Sequence, residues 1–155
     1  MSCALATTGK MLEWKKQLLA QHTLEAVLSM PDELFINSKV GVVSCIMIFT
    51  AHKKHSSIKN TYFGYYKEDG FEKRKNKGRI DVDSNWKTIK KKWVDYYYER
   101  VEESGFSVKQ IITAESEWCA ESYMVTDYET INESDFIQNV LNYSAYLITN
   151  KRKVL

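Results

Sequence analysis

Residues 22 to 35 read HTLEAVLSMPDELF. Leu24 to Met30 form an apolar run of strand length that Pro31 ends, and Asp32 and Glu33 follow where one helical turn would present its positive N-terminus. A run without polar alternation predicts a strand buried on both faces, and such strands lie inside sheets. Just upstream, KMLEWKKQLLAQ (residues 10 to 21) places Met11, Trp14, Leu18 and Leu19 on one helical stripe with lysines expected opposite. Downstream, beyond the loop INSK, VGVVSCIMIFT is β-rich and predicts a second strand buried on both faces. The polar loop HKKHSSIKN then leads to TYFGYYK, a third strand.

Beyond Gly70 the pattern changes. FEKRKNKGRID predicts a basic loop around Gly78, and SNWKTIKKKWVDYYYER predicts a helix with Trp86, Ile89, Trp93 and Tyr96 or Tyr97 inward and Lys87, Lys90, Lys91 and Lys92 outward. SVKQIITA fits a short strand and SEWCAESYMV a short helix. A last helix is expected from an Asn132 cap through ESDFIQNVLNYSAYLI, with Asp135 in its first turn, and the tail NKRKVL is expected to fray. The reading divides the chain into residues 1–70, the α/β part, and residues 71–155, a basic loop with a mainly helical extension packed on it.

A chain of 155 residues suffices for a core, and 44% hydrophobic with 27% charged residues is a globular composition. Its longest apolar run, VGVVSCIMIFTA, stops short of the roughly 18 residues that span a bilayer. MSCALATTGKMLEWKK lacks the basic start and sustained apolar segment of a signal peptide, so a cytoplasmic location is expected. Cys3, Cys45 and Cys119 are odd in number and have no C-x-x-C spacing, which argues against disulfides and structural zinc. His52 and His55 in HKKH lack a third ligand nearby, and Cys119 lacks a partner histidine, so neither suggests a metal or nucleophile site.

The net charge of +2 is unevenly spread. EKRKNKGRIDVDSNWKTIKKKW is strongly basic, whereas residues 101 to 135 carry Glu102, Glu103, Glu115, Glu117, Glu121, Asp127, Glu129, Glu133 and Asp135 against Lys109. A basic surface facing a polyanion is one reading, and two solvated faces is the other.

Helix, buried strand, turn, buried strand, loop and strand is the order of the second half of a doubly wound α/β sheet. HTLEAVLSMPDELF followed by VGVVSCIMIFTAHKKH, then YFGYYKEDGFEKRKNKGRID and AESEWCAESYMVTDY, resembles adenine-specific DNA methyltransferases, in particular modification subunits of type I and related restriction-modification systems. The resemblance implies the carboxyl-terminal part of such an enzyme, with about three main strands, flanking helices and a mostly helical extension. It also implies S-adenosylmethionine as cofactor of the complete enzyme, DNA as substrate, and a specificity subunit or a complementing amino-terminal portion as partner.

Two family signatures are not found in these residues. The catalytic one is Asn or Asp, Pro-Pro, then Tyr or Phe, and the sequence holds a single proline, Pro31. The cofactor turn needs closely spaced glycines, and Gly9, Gly41, Gly64, Gly70, Gly78 and Gly105 are never two apart. No catalytic, cofactor-binding or metal residues are therefore assigned, and the chain alone is expected not to transfer methyl groups. The alternative is a non-enzymatic DNA-binding or subunit-interaction module of a restriction-modification system.

By the same resemblance, Phe35 matches the aromatic residue that stacks on the flipped adenine, a role that conflicts with packing on a helix. Lys73, Arg74, Lys75, Lys77 and Arg79 are candidate phosphate contacts, since they cluster on an exposed segment where Gly78 allows close backbone approach. With the first half of the sheet not among these residues, the strand at residues 23 to 30 is expected to be left at an open edge where an earlier strand would pair, which predicts a homodimer through that edge or poor solubility.

Overall fold

The computed structural model describes residues 7–32, 34–35, 43–75, 77–125 and 132–151. Cys3, Glu33, the loop at 36–39, Asp127, Glu129 and the tail from 152 lie outside the described residues. The chain divides into two compact units, residues 1–125 and 126–155.

In the first unit the elements run α1 (Gly9–Gln21), β1 (Thr23–Ser29), β2 (Cys45–Thr50), β3 (Asn60–Tyr65), β4 (Phe71–Arg74), β5 (Gly78–Asp81), α2 (Trp86–Glu99) and β6 (Ser107–Ile111), followed by one 3-10 turn, Ala120–Ser122. The second unit contains α3 (Glu133–Lys151). With three helices and a mixed four-stranded sheet, the chain is α/β. The sheet order is β2-β1-β3-β6, with β1 and β3 parallel and both outer pairs antiparallel.

This order corrects two expectations. The strand at residues 23 to 30 is not at the edge: β1 is hydrogen-bonded on both sides, and β2 and β6 are the edges. β2, in turn, is only partly buried, with Ile46 46% exposed, because an edge strand has a neighbour on one side alone. The segment after Gly70 also contributes to the sheet, since β6 pairs with β3 from Asn60↔Ile111 to Gly64↔Ser107.

A bulge explains how β1 serves both faces. Register shifts between Leu24 and Ala26, so Glu25 is the extra residue. Without it, Leu24 and Ala26 would share a face; with it, Leu24 and Val27 enter one core while Ala26 and Leu28 enter the other. Glu25 turns outward to meet Lys59 at 2.9 Å and the Thr50 hydroxyl at 2.8 Å. The Leu24 carbonyl accepts from the Thr61 hydroxyl at 2.9 Å.

On one face Leu24, Val27 and Phe63 pack with Ile112, Trp118 and Ala120, covered by Leu18 and Leu19 of α1. On the other, Ala26, Leu28, Tyr62, Tyr66 and Trp93 pack with Trp86, Ile89 and Tyr97 of α2 and with Phe106. Tyr66 stacks on Trp93 at 4.8 Å and donates to the Trp93 carbonyl at 2.7 Å. Burial, then the hydrogen bond with Tyr62, raises the Tyr66 pKa far above the phenol range. Gly64 accommodates this ring: a Cβ there would lie 2.8 Å from Tyr66 Cε1 and 3.0 Å from Leu28 Cδ2.

The α2 stripe matches the sequence reading, with Trp93 buried and Trp86, Ile89 and Tyr97 around it. The α1 stripe matches only at Leu18 and Leu19. Met11 and Trp14 are exposed, whereas Lys15 is fully buried, its ammonium 4.7 Å over the Trp118 ring and donating to the Ser116 carbonyl at 2.6 Å. An aliphatic stem with a satisfied charged tip thus takes a core position that hydrophobicity alone assigns elsewhere. Residues 71–81 form a hairpin, β4 against β5, and not a loop. Of the helix expected in SEWCAESYMV, only the 3-10 turn forms; Trp118 and Cys119 before it are buried in extended chain. Asn132 precedes α3 as read, its Oδ1 accepting the Ser134 N–H at 3.1 Å.

In the loop after β2, the His52 N–H donates to His22 Nδ1 at 3.1 Å, and His55 is 8% exposed with neither ring nitrogen hydrogen-bonded among the described residues. Burial, aided by Lys59 and opposed by Glu25, lowers the His55 pKa. The unfolded chain binds the proton near the ordinary value of about 6.5, so His55 costs no stability above that pH. Stability should decline as pH falls through 6.5 toward the lower folded pKa. In urea titrations between about pH 7.5 and about pH 5.5, His55→Phe should flatten this decline; an unchanged slope would exclude His55 as its source.

Candidate nucleic-acid interface

Because β1 and β3 are parallel, their carboxyl ends emerge together, as Ser29-Met30-Pro31 and Tyr65-Tyr66-Lys67. The crevice beyond such paired ends is the usual ligand position in α/β sheets. Here it is a polar cleft of about 250 Å³ lined by Pro31, Asp32, Tyr65, Lys67, Glu68 and Arg79. Pro31 ends β1, and the turn after it is marked by the Leu34 N–H reaching the Pro31 carbonyl at 3.4 Å.

Phe35 lies just past this turn and is 45% exposed. It belongs to neither core cluster. The turn is held from below by charge. The Lys67 ammonium, with its side chain 11% exposed, pairs with Asp32 and with Glu121 at 3.1 Å. Glu121 accepts from the Ser29 hydroxyl at 2.5 Å, and Ser29 Oγ accepts the Ala120 N–H at 3.1 Å. Burial opposes the Lys67 charge, but the hydrogen bonds to Asp32 and Glu121 outweigh it and raise the pKa. Burial likewise acts against ionised Glu121, and Ser29, a backbone N–H and Lys67 lower its pKa overall.

The cluster singled out as basic divides in two. Lys73, Arg74, Lys75 and Lys77 are exposed, with Arg74 paired to Glu72 at 2.7 Å. Arg79 turns inward: it is 12% exposed, pairs with Asp69 at 2.7 Å and lies over the Phe71 ring. Asp69 also accepts the Phe71 N–H at 3.0 Å, so this pair anchors the hairpin base. Since Arg79 lines the same cleft as Asp32, the fold brings the foot of the basic hairpin beside the turn that leads to Phe35.

Sequence reasoning missed Ser29, Lys67 and Glu121. Their partnership spans up to 92 positions, and no local pattern marks any of them. Gly70, next in the chain to Asp69, is bare for packing. A Cβ on Gly70 would lie 2.9 Å from Ile89 Cδ1, so that close approach serves helix packing. Among the described residues no group of three His, Cys, Asp or Glu is placed to hold a metal ion.

Removing one partner of a buried pair strands the other. Asp69→Asn and Arg79→Met should each cost up to about 3 kcal/mol, and the double substitution less than the sum. A denaturant double-mutant cycle checks this; strictly additive losses would mean that the pair does not brace the hairpin.

A family model described as N-6 DNA Methylase matches residues 1–151. A type II restriction enzyme and methyltransferase, RM.BcgI, from Heyndrickxia coagulans is 34% identical over 134 residues, which cover 85% of this chain and 20% of the relative. The chain therefore spans about a fifth of that relative's length. No described helix is long and apolar enough to cross a membrane. With a family match running through nearly every residue of the mixed sheet and its helices, the chain belongs to the N-6 DNA methylase family.

Proposed function

We propose that these residues form the carboxyl-terminal portion of an adenine-specific DNA methyltransferase of a restriction-modification system, and that alone they bind DNA without transferring methyl groups. The observation that carries this reading is the half-exposed Phe35, three residues past the Asp32 that lines the strand-end cleft, with the basic hairpin rooted in that cleft through Arg79. An exposed aromatic suits an unstacked base, and exposed cations on the hairpin suit its flanking phosphates. In this reading Phe35 stacks on the target adenine, and Lys73, Arg74, Lys75 and Lys77 meet phosphates. Arg79, through Asp69, holds the hairpin that presents them.

S-adenosylmethionine serves the complete enzyme, bound by a portion that carries the glycine-rich turn and the Pro-Pro motif. β2 offers a place for that portion to join. It is an apolar edge, CIMIFT, without the charge or proline that blunts free edges. The runner-up reading, a non-enzymatic module that binds DNA or a specificity subunit, draws on the largely exposed apolar side chains of α3, including Phe136, Val140, Leu141 and Tyr143.

Calorimetric titration of the purified chain with S-adenosylmethionine should give no binding heat. Duplex DNA should bind with an affinity that falls steeply with salt, and replacing Lys75 and Lys77 by Ala should reduce the logarithmic salt slope by about 2. Micromolar cofactor binding would overturn the reading, as would salt-independent DNA binding. If β2 is the joining edge, a charge in it, Ile46→Lys, should abolish association with a separately expressed amino-terminal methyltransferase portion while leaving the fold intact. Retained association in gel filtration would move the seam elsewhere.

A further inference from the structure

The polar bridge beneath the Pro31 turn has no part in either core. It is nonetheless a connected set of paired charges at the candidate interface. Lys67 leaves β3 and its ammonium is shared between Asp32, in the turn that leads to Phe35, and Glu121, in the 3-10 turn far along the chain. Glu121 is fixed by the Ser29 hydroxyl, and Ser29 also receives the Ala120 N–H, so the carboxylate is tied to the last residue of β1. Ser29 and Lys67 are held in mutual register as well, since the Tyr66 N–H reaches the Ser29 carbonyl at 2.9 Å.

We infer that Lys67, oriented by Glu121, is a positioning residue that fixes the Asp32 turn and thereby presents Phe35 to a nucleobase. The inference deepens the proposed function and rests on its assignment of Phe35. The chemistry favours a positioning role over a ligand-binding one. Two carboxylates already share the Lys67 ammonium, leaving it little capacity for a phosphate. Asp32, by contrast, has a side chain that is 66% exposed, so water competes for it unless a nearly buried, oriented cation holds it. Glu121 and Ser29 provide that orientation. They also make the presentation of Phe35 depend on the segment around residue 120, which has no other link to the turn among the contacts described above.

The test places 4-fluorophenylalanine at position 35 of the full chain and reads its fluorine resonance. The parent should give one line displaced from the unfolded-chain position. Lys67→Met and Asp32→Asn should each move that line toward the unfolded position with the near-ultraviolet circular dichroism unchanged, and Lys67→Arg should restore it. An unmoved line in a folded Asp32→Asn or Lys67→Met chain overturns the inference, and Asp32→Asn decides the matter if Lys67→Met fails to fold.

A second readout uses a duplex with 2-aminopurine opposite an abasic site. Stacking on Phe35 should change its fluorescence in the parent, and both Phe35→Ala and Lys67→Met should cut that change at least twofold. If Phe35→Ala leaves it intact, the stacking assignment falls while the fluorine result still decides the positioning role. If Phe35→Ala removes it and Lys67→Met does not, the positioning role falls alone.

Discussion

The structure depends on β1 being buried from both sides. A strand whose side chains alternate serves two cores only if apolar residues fall in both phases, and β1 achieves this with the bulge at Glu25. Residues before and after the bulge would otherwise compete for one face. The carboxylate that the bulge expels is met by Lys59 and Thr50, so the irregularity leaves no isolated charge behind. Everything that covers the sheet, α1 and Trp118 on one side and α2 on the other, packs against side chains that this single shift distributes.

The same strand sets the position of the candidate interface. β1 ends at Ser29, two residues before Pro31, and because β3 runs parallel to it, Lys67 emerges beside that end. Hydrophobic packing brings the strand ends together, and the charged bridge of Ser29, Glu121, Lys67 and Asp32 then determines what the emerging turn does. The hairpin of β4 and β5 reaches the same cleft from the other flank through Arg79. Nonlocal contacts thus gather the Pro31 turn, a basic ribbon and a polar cleft from three separate stretches of sequence.

Much of this was legible in the residues. Apolar runs bounded by Pro31 and polar loops marked β1, β2 and β3, and helical spacing marked α1, α2 and α3, because those signals are local. Sheet order was not legible: nothing in LEAVLS says which strand will flank it, so the edge was assigned to β1 when it belongs to β2 and β6. Periodicity places Lys15 outward because it scores the charge and ignores the stem; the Trp118 ring and the Ser116 carbonyl that make burial tolerable come from a hundred residues away. The basic segment showed its charge but not its hairpin, nor that Arg79 would face Asp69. Lys67 and Glu121 carried no signal at all, since each is an ordinary surface residue until the other is placed beside it.

The segregation of aromatic residues between the two faces has an optical consequence. Trp86 and Trp93 meet edge to face at 5.4 Å, with Tyr66 and Phe106 stacked in line, and transition dipoles at such separations couple. Trp118 lies under the opposite face with the Lys15 ammonium over its ring and, among the described residues, Phe49 as its aromatic neighbour at 6.4 Å. One sheet therefore carries a coupled chromophore on one side and, on the other, a buried indole in a fixed electric field. With the exposed Trp14 of α1 replaced by Phe, emission from the two faces becomes separable, so the covering of each side by its helix can be followed as an independent event.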